Sequence, residues 1–477
     1  RIIVNNDFII NNYHAFLPGN THQVFDHIYN HTLSLMFYLP LQEEYKGYDT
    51  HNDTKPSNQL YINRNNELVK YHSYYFDCNY KHAQLTATTG SGKSFDLNKQ
   101  IDGILSEDNP EVTKPTIIAI EPKRGFLKIC RFYNGEYIAY DLTSNKSYNP
   151  FFRKRDVYVL KGVDYDGFEQ TGRQYDPIIF NFYETLVQHL CKEEGKITLS
   201  PRIKGIIREI FTALYDRNND EYIPILNDVV SEIDKHDVPD DDFQKELNRV
   251  RDNLKYYCHD QYKNLFNIRE ELNISNDFLY FDLGKLENDE QMKSTVMFIL
   301  SSSIMRKLRE PDRIKYLFID EASVFHESEI GAAMINYFLR LSRSLGGVIT
   351  LASQNVSDSI DSLASKTIHN SLAVETCLWL KDGHKYLPDI GYNKQEKRFI
   401  EELIKQPGQY MELFRRIAGR PMVLKSLANK YLYWLSTNTP EDDQIFLEYQ
   451  RKHKELPIAE LIQKLGDDYP NGHYTKN

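Results

Sequence analysis

Short continuous apolar runs, each followed by a polar turn, dominate the pattern of this chain. A strand that is buried on both faces of a parallel sheet has such a sequence, so we expect core strands at these places. The strongest runs cover residues 116–120, 278–282, 316–320 and 348–352. Shorter strand-like segments lie at residues 61–63, 68–71, 82–86 and 137–140.

The stretch from about residue 175 to 262 has a different periodicity. Its apolar positions, among them Ile178, Phe182, Leu186 and Leu190, recur at helical spacing between charged clusters. We interpret the stretch as an all-helical insertion, because strand-like runs are nearly absent from it. Elsewhere the strand-like runs alternate with helical segments, which predicts a doubly wound α/β core.

Residues 87–94 read Ala-Thr-Thr-Gly-Ser-Gly-Lys-Ser and resemble a phosphate-binding loop between a strand and a helix. Gly90 and Gly92 allow the backbone to curl, so that successive N–H groups point at a polyphosphate. Lys93 places its charge against the outer phosphates, and the Ser94 hydroxyl is suited to hold Mg²⁺. The predicted nucleotide-binding residues are Thr88, Thr89, Gly90, Ser91, Gly92, Lys93, Ser94 and Phe95.

Ala87 is the one departure from this motif, which normally begins with glycine. Alanine fits the loop if its φ is negative, so we expect it to be tolerated. The alternative is a glycine-rich surface turn that happens to end in Lys-Ser. A second motif downstream argues against that alternative.

The second motif is the apolar run 316–319 followed by Asp320 and Glu321. Parallel strands deliver their last residues to the carboxyl edge of the sheet, where the phosphates are expected. Asp320 is suited to hold Mg²⁺, and Glu321 to orient or deprotonate the attacking water. Gln354 follows another apolar strand and is positioned to hydrogen-bond both phosphate and water. The alternative at both places is a strand that simply ends in a polar turn.

Arg340 and Arg343 lie three residues apart and share one face of a predicted helix. Either they line a solvated face, or one of them reaches a neighbouring subunit's ATP as an arginine finger. We take Arg343 as the candidate. The predicted catalytic residues are therefore Lys93, Glu321, Gln354 and Arg343, and the predicted metal ligands are Ser94 and Asp320.

The net charge is −10, from 68 acidic and 58 basic residues. This balance argues against a surface that coats nucleic acid, although it leaves room for a local basic patch inside a ring. The basic cluster Arg415, Arg416 and Arg420 is predicted to be a solvated turn, and the alternative is a contact with nucleotide or a partner. The five cysteines include no CxxC pair, which fits reduced cytosolic thiols better than disulfides or zinc.

In their order along the chain, these motifs resemble the TraC-type ATPases of conjugation and type IV secretion, within the HerA–FtsK superfamily. The "PGN" and "NPF" segments and the size of the insertion are the most specific features. Glu121 stands where the family usually has aspartate, and Ala87 where it has glycine. The matching segments are residues 17–20, 89–94, 121–123, 149–151, 320–322, 346–354 and 433–437.

The resemblance implies an α/β fold: a RecA-like P-loop NTPase core with a mainly parallel sheet and an all-helical insertion. The family normally has a larger N-terminal domain, so the resemblance implies that this chain, which begins with Arg1, contains only the tail of that domain. The expected parts are the N-terminal tail with lead-in strands at 1–75, the core at 76–150 and 276–440, the insertion at 151–275 and a helical C-terminal tail at 441–477.

By the same resemblance, the chain would be an ATPase that uses ATP and Mg²⁺ to energise pilus assembly or substrate transfer. It would form a homo-hexamer. The hexamer would lie at the cytoplasmic face of the bacterial plasma membrane, where its partners would be other secretion components. One alternative is a DNA-translocating HerA/FtsK-like motor or coupling protein, which the net charge disfavours. Another is a non-catalytic scaffold that binds nucleotide in order to assemble, and its only support is Ala87.

Overall fold

The fold is built on one large mixed β-sheet, which has helical layers on its two faces. The computed structural model describes residues 57–76, 78, 81–107, 114–140, 146–160, 173–191, 199–236, 240–259, 262–286, 290–310, 313–322, 335–336, 338–339, 342, 345–356, 365–381 and 383–476. Arg340, Arg343 and the "PGN" segment at 17–20 lie outside these residues.

Within the described residues, the strands pair into a 12-stranded sheet and a separate antiparallel pair. In chain order they are β1 (Gln59–Asn63), β2 (Leu68–Tyr71), β3 (His82–Thr86), β4 (Pro115–Glu121), β5 (Glu136–Ala139), β6 (Tyr158–Leu160), β7 (Arg173–Tyr175), β8 (Phe278–Asp282), β9 (Ile314–Ile319), β10 (Gly347–Ser353), β11 (Leu372–Cys377), β12 (Lys405–Gln406), β13 (Tyr410–Ile417) and β14 (Arg420–Leu427). The large sheet has the order β2-β1-β14-β13-β11-β3-β10-β9-β4-β8-β5, with β12 paired to β13.

The helices lie between and after these strands. In chain order they are α1 (Lys93–Leu105), α2 (Leu127–Phe132), α3 (Pro177–Leu190), α4 (Pro201–Asp216), α5 (Leu226–Ile233), α6 (Asp241–Tyr256), α7 (Lys263–Phe266), α8 (Glu290–Leu308), α9 (Ser365–Ser371), α10 (Lys394–Glu401), α11 (Lys430–Ser436), α12 (Pro440–Lys452) and α13 (Ile458–Asp468). Among the described residues, none of these helices has both the length and the apolar character needed to cross a bilayer.

The sheet has a parallel part and an antiparallel part. From β11 through β3, β10, β9, β4 and β8 to β5, every neighbouring pair of strands is parallel. Beyond β11, the strands β13, β14, β1 and β2 pair in antiparallel fashion. The predicted mainly parallel core is confirmed, and the antiparallel part around β13 and β14 is an addition that the sequence pattern did not predict.

Alternate residues of the core strands are buried in two different hydrophobic layers. In β4, Ile118 and Ile120 face the layer that contains the helices of the insertion, whereas Ile117 and Ala119 face the layer of α1 and α2. This two-sided burial explains why the core strands appear in the sequence as continuous apolar runs.

The predicted helical insertion is present between β5 and β8, where α3 to α7 pack around a shared apolar core. Its acidic cluster is a helix start, since the Asp240 carboxylate accepts hydrogen bonds from the backbone N–H groups of Asp242 and Phe243. The prediction that this part is wholly helical is wrong in one respect, because β6 and β7 form a short ribbon there. Each strand has only three residues, too few to show a strand pattern.

The two ends of the described chain pack onto the core. The predicted lead-in strands β1 and β2 belong to the large sheet, where β1 pairs with β14. The predicted C-terminal helices α12 and α13 surround Trp434, whose indole donates to the Tyr469 carbonyl at 2.9 Å. Lys128 on α2 ties this cluster to the core through Asp443 at 2.7 Å. The domain boundaries themselves remain predictions.

Candidate nucleotide-binding site

The loop that was predicted to bind phosphates connects β3 to the start of α1. Gly90 and Gly92 have φ values of +79° and +109°, so both occupy backbone conformations that favour glycine. A Cβ atom at Gly92 would lie 2.5 Å from the Met411 Sδ atom. The loop therefore has the curled backbone that a phosphate cradle needs, and the start of α1 adds its positive dipole end.

Ala87 fits the first position of the loop without strain. Among the described residues, the non-glycine positions with positive φ do not include it. Its methyl group is fully buried, and its backbone N–H donates to the Ser353 carbonyl at 3.1 Å. The condition that we set for alanine at this position is met, so its presence does not distort the loop.

Lys93 and the acidic pair meet at the carboxyl edge of the sheet, although 228 residues separate Lys93 from Glu321. The Lys93 Nζ atom lies 2.6 Å from Asp320 Oδ1 and 3.4 Å from Glu321 Oε1. Glu321 has a left-handed φ of +56°, and its N–H donates to the Asp320 carboxylate at 2.9 Å. This turn directs both carboxylates toward the phosphate-binding loop.

Three donors surround one oxygen of the Glu321 carboxylate. Besides Lys93, the Lys123 Nζ atom lies 3.0 Å from Glu321 Oε1, and the Gln354 side-chain amide donates to the same oxygen. Burial alone would raise the pKa of Glu321, but Lys93, Lys123 and Gln354 together hold it below its usual value. Glu321 is therefore an anion at neutral pH.

Gln354 bridges the acidic pair and the loop. Its amide NH₂ donates to Glu321, while its amide oxygen accepts a hydrogen bond from the Thr89 hydroxyl at 2.8 Å. Thr88 is held from the other side, where its hydroxyl donates to the Trp379 carbonyl at 2.8 Å. Of the predicted site residues, Thr89, Lys93, Asp320, Glu321 and Gln354 thus form one connected cluster.

Two carboxyl groups beside the loop lie in surroundings that disfavour their charge. Burial raises the pKa of Asp320, with a further rise from Glu321, against the attraction of Lys93. Burial likewise raises the pKa of Glu121 to about 8, and the Asp320 carboxylate adds to the rise. Glu121 accepts hydrogen bonds from the Tyr280 hydroxyl and the Phe126 N–H at 2.9 and 3.1 Å. Among the described residues, no ion pair to Glu121 offsets this effect of burial, whereas Asp320 is paired with Lys93.

A cavity of about 270 Å³ opens over the loop. Of the predicted site residues, it is lined by Thr88, Thr89, Gly90, Gly92, Lys93, Ser94, Phe95, Asp320, Glu321 and Gln354. The Ser91 hydroxyl instead donates to the Thr88 carbonyl at 2.6 Å and holds the loop in shape. The cavity is also lined by the β12–β13 hairpin and by Tyr433, residues 436–439 and Tyr474.

Sequence reasoning missed some of the charged groups at this site. Lys123 follows β4 in a basic turn at the carboxyl edge, so its position after a core strand was a usable signal. Lys405, whose ammonium donates to the Gly90 carbonyl, has no such signal, because a distant hairpin brings it to the loop. Arg343 lies outside the described residues, so its role as an arginine finger remains a prediction.

The prediction for the basic cluster at 415–420 is wrong at Arg415, which is buried rather than solvated. Its guanidinium lies 3.3 Å from Asp96 on α1, and both side chains are at most 1% exposed. Arg416 is also paired, with Glu375 and Glu396. Arg415 is buried because it pairs with a buried anion from a remote part of the chain. The local sequence, which favours a solvated turn, does not contain that partner.

Comparisons with known proteins agree with this geometry. A family model described as the TraG P-loop domain matches residues 76–391. The structure of VirB4 from Thermoanaerobacter pseudethanolicus is similar with a TM-score of 0.58 and 17% identity, over 78% of this chain and 96% of that chain. That likeness confirms the predicted RecA-like P-loop fold.

A second solved structure has a weaker likeness. The plasmid coupling protein TrwB, in complex with a non-hydrolysable GTP analogue, gives a TM-score of 0.47 and 13% identity, over 72% of this chain and 85% of that chain. A likeness of this size adds nothing to the fold assignment. No curated protein matches the sequence.

Proposed function

Because the chain belongs to the TraG P-loop domain family, we propose that it is the ATP-hydrolysing motor of a type IV secretion or conjugation apparatus. The predicted resemblance to HerA–FtsK-type ATPases of these systems is confirmed, whereas the narrower TraC type remains a prediction. The observation that carries the proposal is the meeting of Lys93, Asp320 and Glu321 beside a glycine-rich loop.

The loop and α1 would hold the phosphate chain of ATP. The backbone N–H groups around Gly90 and Gly92 and the amino end of α1 supply a cradle for an anion. Lys93 pairs with two carboxylates in the structure. We propose that phosphate oxygens take over as its partners when ATP binds, since a phosphate chain carries more charge.

Ser94 and Asp320 would hold Mg²⁺. Both residues line the cavity, and a hydroxyl with a carboxylate is an oxygen donor set that suits this ion, which keeps water and phosphate oxygens as its other ligands. Burial raises the pKa of Asp320 in spite of Lys93, and a bound cation would favour the charged form of this carboxylate. Bound Mg²⁺ would neutralise charge that develops on the phosphates.

Glu321 and Gln354 would direct the attacking water. Glu321 is held as an anion by its donors, so it can accept a proton or a hydrogen bond from water. Gln354 shares hydrogen bonds with Glu321 and Thr89, so a change at the phosphates would reach the end of β10 through Gln354. These roles, and that of Phe95 in the cavity wall, are proposals from position.

We further propose that the motor works as a homo-hexamer at the cytoplasmic face of the bacterial plasma membrane, together with other secretion components. The support is the resemblance described above and the family match over residues 76–391. The alternative function, a motor that translocates DNA, uses the same core, so an experiment has to distinguish the two. If the chain were a DNA motor, DNA would stimulate its ATPase activity, with a steep dependence on salt concentration.

The test is phosphate release from ATP by the purified chain, with and without DNA. Lys93→Ala should lower turnover roughly hundred-fold or more, because it removes the cation of the phosphate cradle. Glu321→Gln should retain ATP binding but lose a similar part of turnover. The matched control is Lys114→Ala, which removes an exposed lysine next to the start of β4, at the other edge of the sheet.

Wild-type turnover by Lys93→Ala would contradict the proposed site. Wild-type turnover by Glu321→Gln would remove only Glu321 from the mechanism. A wild-type chain that binds ATP but never releases phosphate, alone or as an assembled ring, would favour the non-catalytic scaffold.

A further inference from the structure

The β12–β13 hairpin closes one side of the phosphate-binding loop at two points. Met411 on β13 packs against Gly92, and the Lys405 ammonium on β12 donates to the Gly90 carbonyl. The pairing of Lys405 with Met411 and of Gln406 with Tyr410 fixes the register of the hairpin. The Lys405 backbone is therefore held beside the loop by the sheet, and its side chain lines the same cavity as Lys93.

Lys405 differs from the other lysines of the site in its partners. Lys93 lies against Asp320 and Glu321, and Lys123 lies against Glu321. The Lys405 ammonium contacts a neutral carbonyl, and no carboxylate of the described chain lies within ion-pair distance of it. Although the residue as a whole is exposed, burial of its ammonium lowers the pKa of Lys405. A partly desolvated cation without a counter-charge is stabilised by an anion that enters the cavity.

We propose that Lys405 is a second phosphate-binding lysine, which contacts the phosphate chain of ATP from the β12–β13 hairpin. The inference rests on the proposed function, since it requires ATP on the same loop. An ammonium has three donors, and only one of them is used by the Gly90 carbonyl. The remaining donors allow Lys405 to bind phosphate while the hairpin keeps its place against the loop.

The test compares ATP and AMP, because AMP lacks the outer phosphates. Lys405→Ala should weaken ATP binding about ten-fold, the size expected for the loss of a charge-assisted hydrogen bond, and change AMP binding less than about two-fold. Lys405→Arg should restore most of the ATP affinity. Lys394→Ala, which removes an exposed lysine at the start of α10, is the matched control and should bind both nucleotides as the wild type does.

Binding is measured by isothermal titration on the full chain, with thermal unfolding of each nucleotide-free variant to verify folding. Unchanged ATP affinity in Lys405→Ala would overturn the inference while leaving the proposed function intact. An equal loss for ATP and AMP would also overturn it, because it would show that Lys405 only braces the loop. No ATP binding by the wild-type chain would overturn both the inference and the proposed function.

Discussion

Two glutamates at the same edge of the sheet have opposite electrostatic surroundings. Glu321 is held by two lysines and an amide, which lower its pKa. Among the described residues, no cation lies within ion-pair distance of Glu121; its partners are the Tyr280 hydroxyl and a backbone N–H, and burial raises its pKa. The residue type is the same, so the difference comes only from the neighbours.

This difference predicts how stability depends on pH. The pKa of Glu121 rises from its usual value of 4.5 to about 8 in the folded chain, so between these values the folded state holds one more proton than the unfolded state. Its contribution to stability is therefore complete below pH 4.5 and is lost as pH rises through 8. Glu121→Gln should abolish this loss and be more stable than the wild type at pH 9 by on the order of 2–4 kcal/mol.

Thermal and urea unfolding of both proteins between pH 5 and about pH 9 would measure the effect. Gln keeps an oxygen that can accept from Tyr280 and from the Phe126 N–H, so the variant should fold. Glu460→Gln on α13 is exposed and serves as the control, with a stability curve parallel to that of the wild type. Parallel curves for Glu121→Gln as well would contradict a buried carboxyl that titrates near pH 8.

At the scale of elements, the loop between β3 and α1 depends on its glycines. Gly92 has a φ of +109°, and the Met411 side chain occupies the space where a Cβ atom would lie. The methionine is flexible and can move aside, but the backbone strain remains. Gly92→Ala should therefore cost about 1–3 kcal/mol of stability and abolish ATP binding, because the loop can no longer curl.

The matched control is Gly205→Ala in α4, where the glycine is exposed and a Cβ atom would meet nothing within 4 Å. That variant should gain about 0.5–1 kcal/mol, because alanine loses less entropy than glycine in a helix. Stability is measured by urea unfolding, and binding by titration with ATP. Wild-type ATP affinity in Gly92→Ala would show that the loop tolerates another backbone conformation.

The sequence predicts those elements whose burial is visible in their own residues. β4, β8, β9 and β10 are buried on both faces and appear as apolar runs, so their existence and the place of Asp320 and Gln354 at their ends follow from the pattern. β13 contains Glu412, Arg415 and Arg416, and its sequence does not read as a buried strand. Arg415 of this strand is buried because it pairs with Asp96, which lies 319 positions away in the sequence. The periodicity of a local segment cannot predict such a partner.

The same limit applies to the site. Lys93, Asp320, Glu321 and Gln354 follow from motifs, because each motif fixes its own geometry at a strand end or a helix start. Lys405 reaches the loop only through the β12–β13 pairing and the antiparallel part of the sheet. A contact that depends on the tertiary fold has no counterpart in the local sequence.

At the scale of the whole molecule, the antiparallel strands hold the phosphate-binding helix in place. The Arg415 guanidinium on β13 contacts Asp96 on α1, the Tyr61 hydroxyl on β1 and the Thr376 hydroxyl on β11. Lys99 on α1 donates to the Leu60 carbonyl and to the Ser426 hydroxyl, both at 2.9 Å. These bonds join the parallel and antiparallel parts of the sheet through α1, so we expect the two parts to unfold together.

Arg415→Met tests this expectation. Loss of the guanidinium leaves Asp96 buried without its cation, which should cost about 3–5 kcal/mol. Adding Asp96→Asn should recover part of the loss, since the double variant no longer buries a carboxylate that has lost its guanidinium partner. Arg398→Met removes an exposed arginine paired with Glu402 and should change stability by less than about 0.5 kcal/mol.

Urea unfolding followed by circular dichroism and by the fluorescence of Trp379 and Trp434 gives the measurement. Trp379 lies beside the phosphate-binding loop and Trp434 in the C-terminal helical cluster, so the two tryptophans sample different parts of the fold. The two signals should coincide in the wild type and should move together in Arg415→Met. A cost below about 1 kcal/mol, or a double variant no more stable than the single one, would show that the buried pair does not hold the two parts together.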